Sequence, residues 1–203
     1  MSATVTPTGF DRSDFRTVVT GGVKLSLIIG AMVVLYLVVS RYLSGVAMAG
    51  GEVVLVLAGG VAMAFLPAQW SAARTVEGIA GAAATGLCST VAFAVIDLAI
   101  LRPAHAYPWT WDDFGGGTTW WYLPMWWMLG TFLSWQGGIV SATQAGRGEE
   151  RIGRIAAPVV IGAVIIAAIL GLAKVAVVAP VAAGIGFVVS LVVRAIIALA
   201  RGA

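Results

Sequence analysis

The sequence predicts an all-α integral membrane protein, a bundle of six transmembrane helices joined by short loops. Hydrophobic residues make up 60% of the 203 residues and charged residues only 10%, whereas soluble domains carry about a quarter charged residues. The apolar residues gather into six runs, and about 20 apolar residues in a helix cross the hydrocarbon core of a bilayer. The runs are too long and too uniformly apolar for a membrane β-barrel, whose strands alternate over about ten residues.

A polar tail, residues 1–23, is predicted to precede a single transmembrane domain, residues 24–203. The tail carries charges such as Asp11 and Arg12 rather than the apolar core of a cleavable signal peptide, so the first span is expected to act as its own insertion signal. The six predicted spans cover residues 24–43, 53–70, 78–101, 120–141, 158–178 and 181–200.

The first span is rich in Val, Leu and Ile, a composition typical of a lipid-facing helix, with Tyr36 and Tyr42 as interfacial anchors. The glycine-rich stretch 44–51 is predicted to be a short link, so the first two spans should pack antiparallel. Pro67 near the end of the second span is expected to end or kink that helix.

Small residues recur every four positions in the third and fourth spans and form one ridge along each helix. Such ridges let helix backbones approach closely, which is a main source of attraction between helices in lipid. We therefore expect the two ridges to pack against each other at the centre of the bundle. The alternative is that they only reflect a composition with 26 glycines. The ridge residues are Gly78, Ala82, Gly86, Thr90 and Ala94 in the third span and Gly130, Ser134, Gly138 and Ala142 in the fourth.

The last two apolar runs are predicted to be separate helices, because Lys174 and Pro180 favour a tight turn between them. A single merged helix would leave five spans instead of six.

The distribution of basic residues predicts the orientation. With six spans, nine of the twelve Lys and Arg residues fall on the side of the two termini, and basic residues accumulate on the cytoplasmic side. Both termini are therefore expected in the cytoplasm, with the protein in the inner membrane of a bacterial cell.

Asp97 and Lys174 are the charged residues that the pattern marks for function, because charges inside spans are expensive. Each lies about four residues from the outer end of its span, so the two share a depth in the membrane. We hypothesise an ion pair between them, because each charge would neutralise the other in a low-dielectric environment. The alternative is that Lys174 extends its ammonium group to the outer interface.

The link between the third and fourth spans is the other candidate binding region. It begins near His105, which can titrate near neutral pH. Tryptophan is typical of the membrane interface, but clustered indole rings also suit a partner subunit, a lipid or a pigment. The tryptophans concerned are Trp109, Trp111, Trp120, Trp121, Trp126 and Trp127.

Several classes of chemistry are disfavoured. Cys88 and His105 are the only cysteine and histidine, too few for a Cys/His metal site. No basic cluster with interleaved aromatic residues suggests nucleic-acid binding. Catalytic motifs such as HExxH are missing, so the sequence predicts a protein that is not an enzyme and identifies no cofactor.

Three functions remain as hypotheses. The favoured one is a non-catalytic subunit or assembly component of a larger membrane complex, in contact with the lipid bilayer and with other subunits or further copies of itself. The second is a small transporter or channel, with Thr85, Ser89 and Gln136 lining a route beside Asp97 and Lys174. The third is an intramembrane enzyme that acts on a lipid-linked substrate, with Asp97, His105, Asp112 and Asp113 at the outer surface.

Overall fold

A computed structural model describes residues 12–107, 122–146, 148, 151–173, 175 and 177–202. This part of the chain forms six long helices and no strand. The third helix continues into a π-helical turn, Asp97–Leu101. The helices are α1 (Phe15–Tyr42), α2 (Gly45–Trp70), α3 (Val76–Ile96), α4 (Tyr122–Ala145), α5 (Ile152–Leu172) and α6 (Ala179–Gly202).

The predicted all-α membrane bundle is confirmed. Five of the helices, all except α4, are long and apolar enough to span a membrane, so the chain is a multi-pass membrane protein whose apolar surface contacts the bilayer. Helix α4 packs against α2, α3 and α6. Its polar residues Ser134 and Gln136 are buried there, which allows this helix to be less apolar than the others.

Helices α1, α2 and α5 begin six or more residues earlier than the sequence analysis placed them. Helix α1 begins at Phe15, so residues 15–23 of the predicted polar tail are helical. Asp14 caps this helix, because its carboxylate accepts hydrogen bonds from the Thr17 backbone N–H at 3.0 Å and the Thr17 hydroxyl at 2.7 Å.

The predicted link 44–51 is also mostly helical, since α2 begins at Gly45. In lipid the backbone must satisfy its own hydrogen bonds, so a glycine-rich stretch stays helical where water would loosen it. Only Leu43 and Ser44 separate α1 from α2.

Helices α3 and α4 lie antiparallel, with their small-residue ridges facing each other. A Cβ atom built on Gly86 would meet Ser134 and lie 2.6 Å from the Gly130 carbonyl oxygen. One built on Gly138 would lie 3.6 Å from the Cβ of Ala82. The two backbones are therefore as close as glycine permits.

Polar contacts connect this pair of helices to α2 and to the turn before α3. The Ser134 hydroxyl donates to the Met63 carbonyl of α2 at 2.8 Å. The carbonyl of Gly78, a buried ridge residue, accepts a hydrogen bond from the Ser71 hydroxyl at 3.0 Å.

Helices α5 and α6 form a second antiparallel pair and are separate, as Pro180 suggested. A Cβ atom on Gly162 would lie 3.1 Å from the Cβ of Ser190. Helix α6 also packs on α2, where a Cβ on Gly60 would lie 3.0 Å from the Phe187 ring. The helices alternate in direction, so Tyr42, Gly45, Leu101 and Tyr122 share one end of the bundle, here named the Tyr107 end after its most enclosed tyrosine.

Candidate functional site

One buried carboxylate at the Tyr107 end gathers three hydrogen-bond donors. Asp97 is 1% exposed. It accepts hydrogen bonds from the Tyr107 hydroxyl at 2.5 Å, the Tyr122 hydroxyl at 2.8 Å and the Arg102 Nε at 3.0 Å. Asp97, Arg102, Tyr107 and Tyr122 are named the Asp97 clasp below.

The π-helical turn brings Arg102 to Asp97. The Arg102 backbone N–H donates to the Asp97 carbonyl at 2.9 Å, an i to i+5 bond that replaces the i to i+4 bond of an α-helix. This wider turn carries the arginine side chain round to the carboxylate. The guanidinium then lies 4.7 Å from the centre of the Tyr122 ring, within cation–π range.

The charges and hydrogen bonds of the Asp97 clasp favour a structural role for the carboxylate. Burial and the hydrogen bond to Asp97 raise the pKa of the Tyr107 phenol above its ordinary value, so Tyr107 remains a neutral donor. Arg102 supplies the compensating charge, and its side chain is 19% exposed. The carboxylate is therefore paired with a cation and accepts three hydrogen bonds.

The Asp97 clasp joins two places that are distant in the sequence. Tyr107 precedes and Tyr122 follows the stretch 108–121, and both phenols bind the same carboxylate. The two ends of that stretch are thus held together beside the end of α3. Trp109, Trp111, Trp120 and Trp121 belong to this stretch and lie outside the described residues.

The hypothesised ion pair between Asp97 and Lys174 stays a prediction, because Lys174 lies outside the described residues. Among the described residues, the cation that pairs with Asp97 is Arg102, which follows the end of the predicted third span, residues 78–101.

His105 lies in the turn that follows the π-helical turn. The residue is exposed, its backbone adopts a φ of 50° and its Nδ1 lies 3.1 Å from the Pro103 carbonyl oxygen. Among the described residues the imidazole contacts neither Asp97 nor another acidic group. Asp112 and Asp113 lie outside the described residues, so the site around His105 stays a prediction.

A second buried carboxylate, Glu52, lies within α2 and is only 8% exposed. Its Oε1 accepts a hydrogen bond from the Ser40 hydroxyl of α1 at 2.7 Å, and the Tyr36 phenol also interacts with this carboxylate. Gly51 permits the close approach, because a Cβ there would lie 2.9 Å from a methyl group of Val39. The described residues offer Glu52 no ion-pair partner, and Arg41, which follows Ser40 in the sequence, is exposed.

An apolar cavity of about 440 Å³ lies between α1, α2, α4 and α6. Tyr36 and Tyr107 both contribute to its wall, and each also interacts with one of the buried carboxylates, which do not line the cavity themselves. Trp126 also lines it and packs on Phe93, with ring centres 5.7 Å apart. The volume falls in the range of roughly 300–1,000 Å³ that is typical of small-molecule sites.

Trp126 and the adjacent Trp127 are the two predicted tryptophans that the structure describes. Both are half-buried, and both indole N–H groups are enclosed without an acceptor among the described residues. The ring of Trp126 therefore contributes to the cavity wall, while its N–H remains an unused donor.

Sequence reasoning missed Glu52, Arg102, Tyr107 and Tyr122 as site residues. Glu52 stood one residue before the predicted second span, and extending that helix through its glycines would have revealed an intramembrane charge. The other three were recognisable only as a loop arginine and two of the chain's four tyrosines, because α-helical spacing places Leu101, rather than Arg102, one turn after Asp97.

Comparison with family models, curated proteins and solved structures found no match to this chain.

Proposed function

We propose that this protein is a non-catalytic subunit of a larger membrane complex that presents the stretch 108–121 to a partner protein. The observation that carries the proposal is the Asp97 clasp, which holds both ends of this stretch through Tyr107 and Tyr122. In this proposal the protein resides in a bacterial inner membrane with both termini in the cytoplasm, and the stretch faces the opposite side.

The bonding of Asp97 supports a structural role over a role in transport. A carboxylate that relays protons or coordinates ions must exchange its partners, whereas Asp97 is 1% exposed and accepts three hydrogen bonds. Disrupting this arrangement to free the carboxylate would leave a buried charge uncompensated.

The composition of the held stretch supports a role in recognition. It contains Trp109, Trp111, Trp120 and Trp121, and tryptophan is enriched among the residues that dominate binding at protein interfaces. Holding the two ends of a segment together before binding lowers the conformational entropy that association must remove. The partner is another membrane subunit or a second copy of this chain.

Transport of a small molecule is a second candidate function, favoured by the cavity between α1, α2, α4 and α6. In a transporter, this cavity would be in contact with water at some stage of the transport cycle. A non-catalytic subunit would not require such contact.

The test is chemical cross-linking in the native membrane, followed by mild extraction and mass spectrometry. We expect one partner at fixed stoichiometry, cross-linked to residues 108–121. The double variant Trp120→Ala/Trp121→Ala should lose the partner. The matched control Trp135→Ala, at a position on α4 that is 47% exposed, should retain it.

The proposal would be contradicted if the chain extracts alone and uncross-linked, or if the control loses the partner as fully as the double variant does. A second double variant, Tyr107→Phe/Tyr122→Phe, removes both phenol donors of the Asp97 clasp and leaves every tryptophan in place. It should weaken the complex if holding the ends of the stretch is what matters.

A further inference from the structure

We propose that the cavity between α1, α2, α4 and α6 is a binding site for a lipophilic organic cation, with Glu52 as its counter-ion. The inference does not depend on the proposed subunit function. It rests on the wall of the cavity, on the bonding of Glu52 and on the position of Glu52 relative to that wall.

The wall of the cavity is suited to a hydrophobic molecule of moderate size. Its lining includes aliphatic side chains from four helices, together with two methionines and several aromatic rings. Glycines at 59 and 184 leave space that larger side chains would fill, since a Cβ on either makes only ordinary contacts, at 3.7 and 3.6 Å. A molecule soluble in the bilayer can therefore enter between the helices without displacing polar contacts.

The bonding of Glu52 leaves a charge to be compensated. Within the described part of the chain its carboxylate receives a hydroxyl from Ser40 and interacts with Tyr36, both neutral groups. Isolated ionised groups are costly in a membrane interior and mark functional sites by default. Asp97 differs, because Arg102 already neutralises it. Of the two buried carboxylates among the described residues, Glu52 is the one without an ion pair to another described residue.

Glu52 does not itself line the cavity, but it lies one helical turn from residues that do. Leu55 and Val56, three and four residues later on α2, line the cavity, so Glu52 shares their helix face one turn nearer the Tyr107 end. Tyr36 lines the cavity and also contacts the carboxylate. A cation seated on the Tyr36 ring gains from the face of the ring and from the nearby negative charge in a low-dielectric setting.

The test uses the purified protein in nanodiscs with two probes of nearly the same size and shape, tetraphenylphosphonium and tetraphenylborate. Their charges are opposite, so the comparison separates charge recognition from simple hydrophobic partition. After subtraction of binding to protein-free nanodiscs, we expect saturable binding of the phosphonium cation only. Equal binding of both ions, or no saturable binding of the cation, would overturn the proposal.

Three variants locate the site. Glu52→Gln should weaken cation binding by about tenfold or more, because a charge partner is removed from a desolvated site, and Glu52→Asp should restore part of the affinity. Gly184→Leu should abolish binding by filling the cavity. Gly171→Leu is the matched control, since a Cβ there meets nothing within 4 Å and Gly171 does not line the cavity.

A well-folded Glu52→Gln protein that binds the cation with wild-type affinity would refute the role of Glu52. If that variant does not fold, Gly184→Leu and the comparison of the two ions still decide the proposal. Retention of cation binding by Gly184→Leu, checked for a single peak in size-exclusion chromatography, would place the ligand elsewhere and overturn it.

Discussion

At the scale of single residues, Asp97 serves two parts of the chain with one carboxylate. Its Oδ2 bonds Arg102 and Tyr122, while its Oδ1 bonds Tyr107. In a buried ion pair the cost of desolvation offsets much of the attraction, so the pair adds little net stability, yet the loss of one member strands the other. Asp97 therefore determines which residues meet at this end of the bundle, rather than adding much net stability.

Asp97→Asn should lower the free energy of unfolding by roughly 3 kcal/mol, because the amide cannot neutralise the partly buried Arg102 guanidinium. The measurement is unfolding in mild detergent, followed by fluorescence as SDS is added. Glu77→Gln removes an exposed carboxylate in the first turn of α3 and is the control. A change as small as that of the control would mean that Asp97 and Arg102 are not coupled.

Tyr107 should make stability fall at alkaline pH. Its pKa is raised in the folded protein by burial and by Asp97, while its ordinary value is 10.0. The neutral phenol therefore contributes its full stabilisation below about pH 10, and this contribution is lost progressively as the pH rises from there towards the folded-state pKa. Unfolding measured between pH 8 and pH 11 in wild type and Tyr107→Phe should show a smaller alkaline loss in the variant. An equal alkaline loss of stability in wild type and variant would contradict this role of Tyr107.

At the scale of elements, the contact between α3 and α4 is one of the closest in the core. Gly86 and Gly130 face each other across it, with Ser134 beside them. Without a hydrophobic driving force between helices in lipid, such close packing supplies much of the attraction. The interface therefore has no room for added atoms on Gly86 or Gly130.

Gly86→Ala should destabilise the protein by about 1–3 kcal/mol, because the new methyl group overlaps Ser134 and the Gly130 backbone. Gly50→Ala is the control, since a Cβ there meets nothing within 4 Å, and it should change stability by at most about 1 kcal/mol in the favourable direction. Both are measured by the same detergent unfolding. A neutral Gly86→Ala would show that these helices can separate without loss.

The sequence predicted the helical class well because long apolar runs leave few alternatives in a bilayer. It was wrong at residues 15–23, which belonged to the predicted polar tail, and at residues 45–51, which belonged to the predicted glycine-rich link. The helical state of these stretches depends on the Asp14 cap and on the surrounding lipid and neighbouring helices rather than on local propensity. The Asp97 clasp was out of reach because it depends on a π-helical turn and on a tyrosine 25 residues away.

At the scale of the whole molecule, the alternation of helix direction places the turn at Ala104 and the turn at Gly146 on opposite ends of the bundle. The distribution of basic residues then predicts which end faces outwards. In a Cys88→Ala background, Ala104→Cys should react with a membrane-impermeant maleimide in intact cells. Gly146→Cys should react only after the cells are opened. The reverse pattern would invert the proposed orientation.

The modest hydropathy of α4 has a consequence for biosynthesis. A segment carrying Thr131, Ser134 and Gln136 near its centre enters lipid poorly by itself. Its packing partners α2 and α3 are translated before it. We therefore expect α4 to leave the translocon only when those two helices are already beside it, so that its polar atoms pass directly from the aqueous pore into contact with protein.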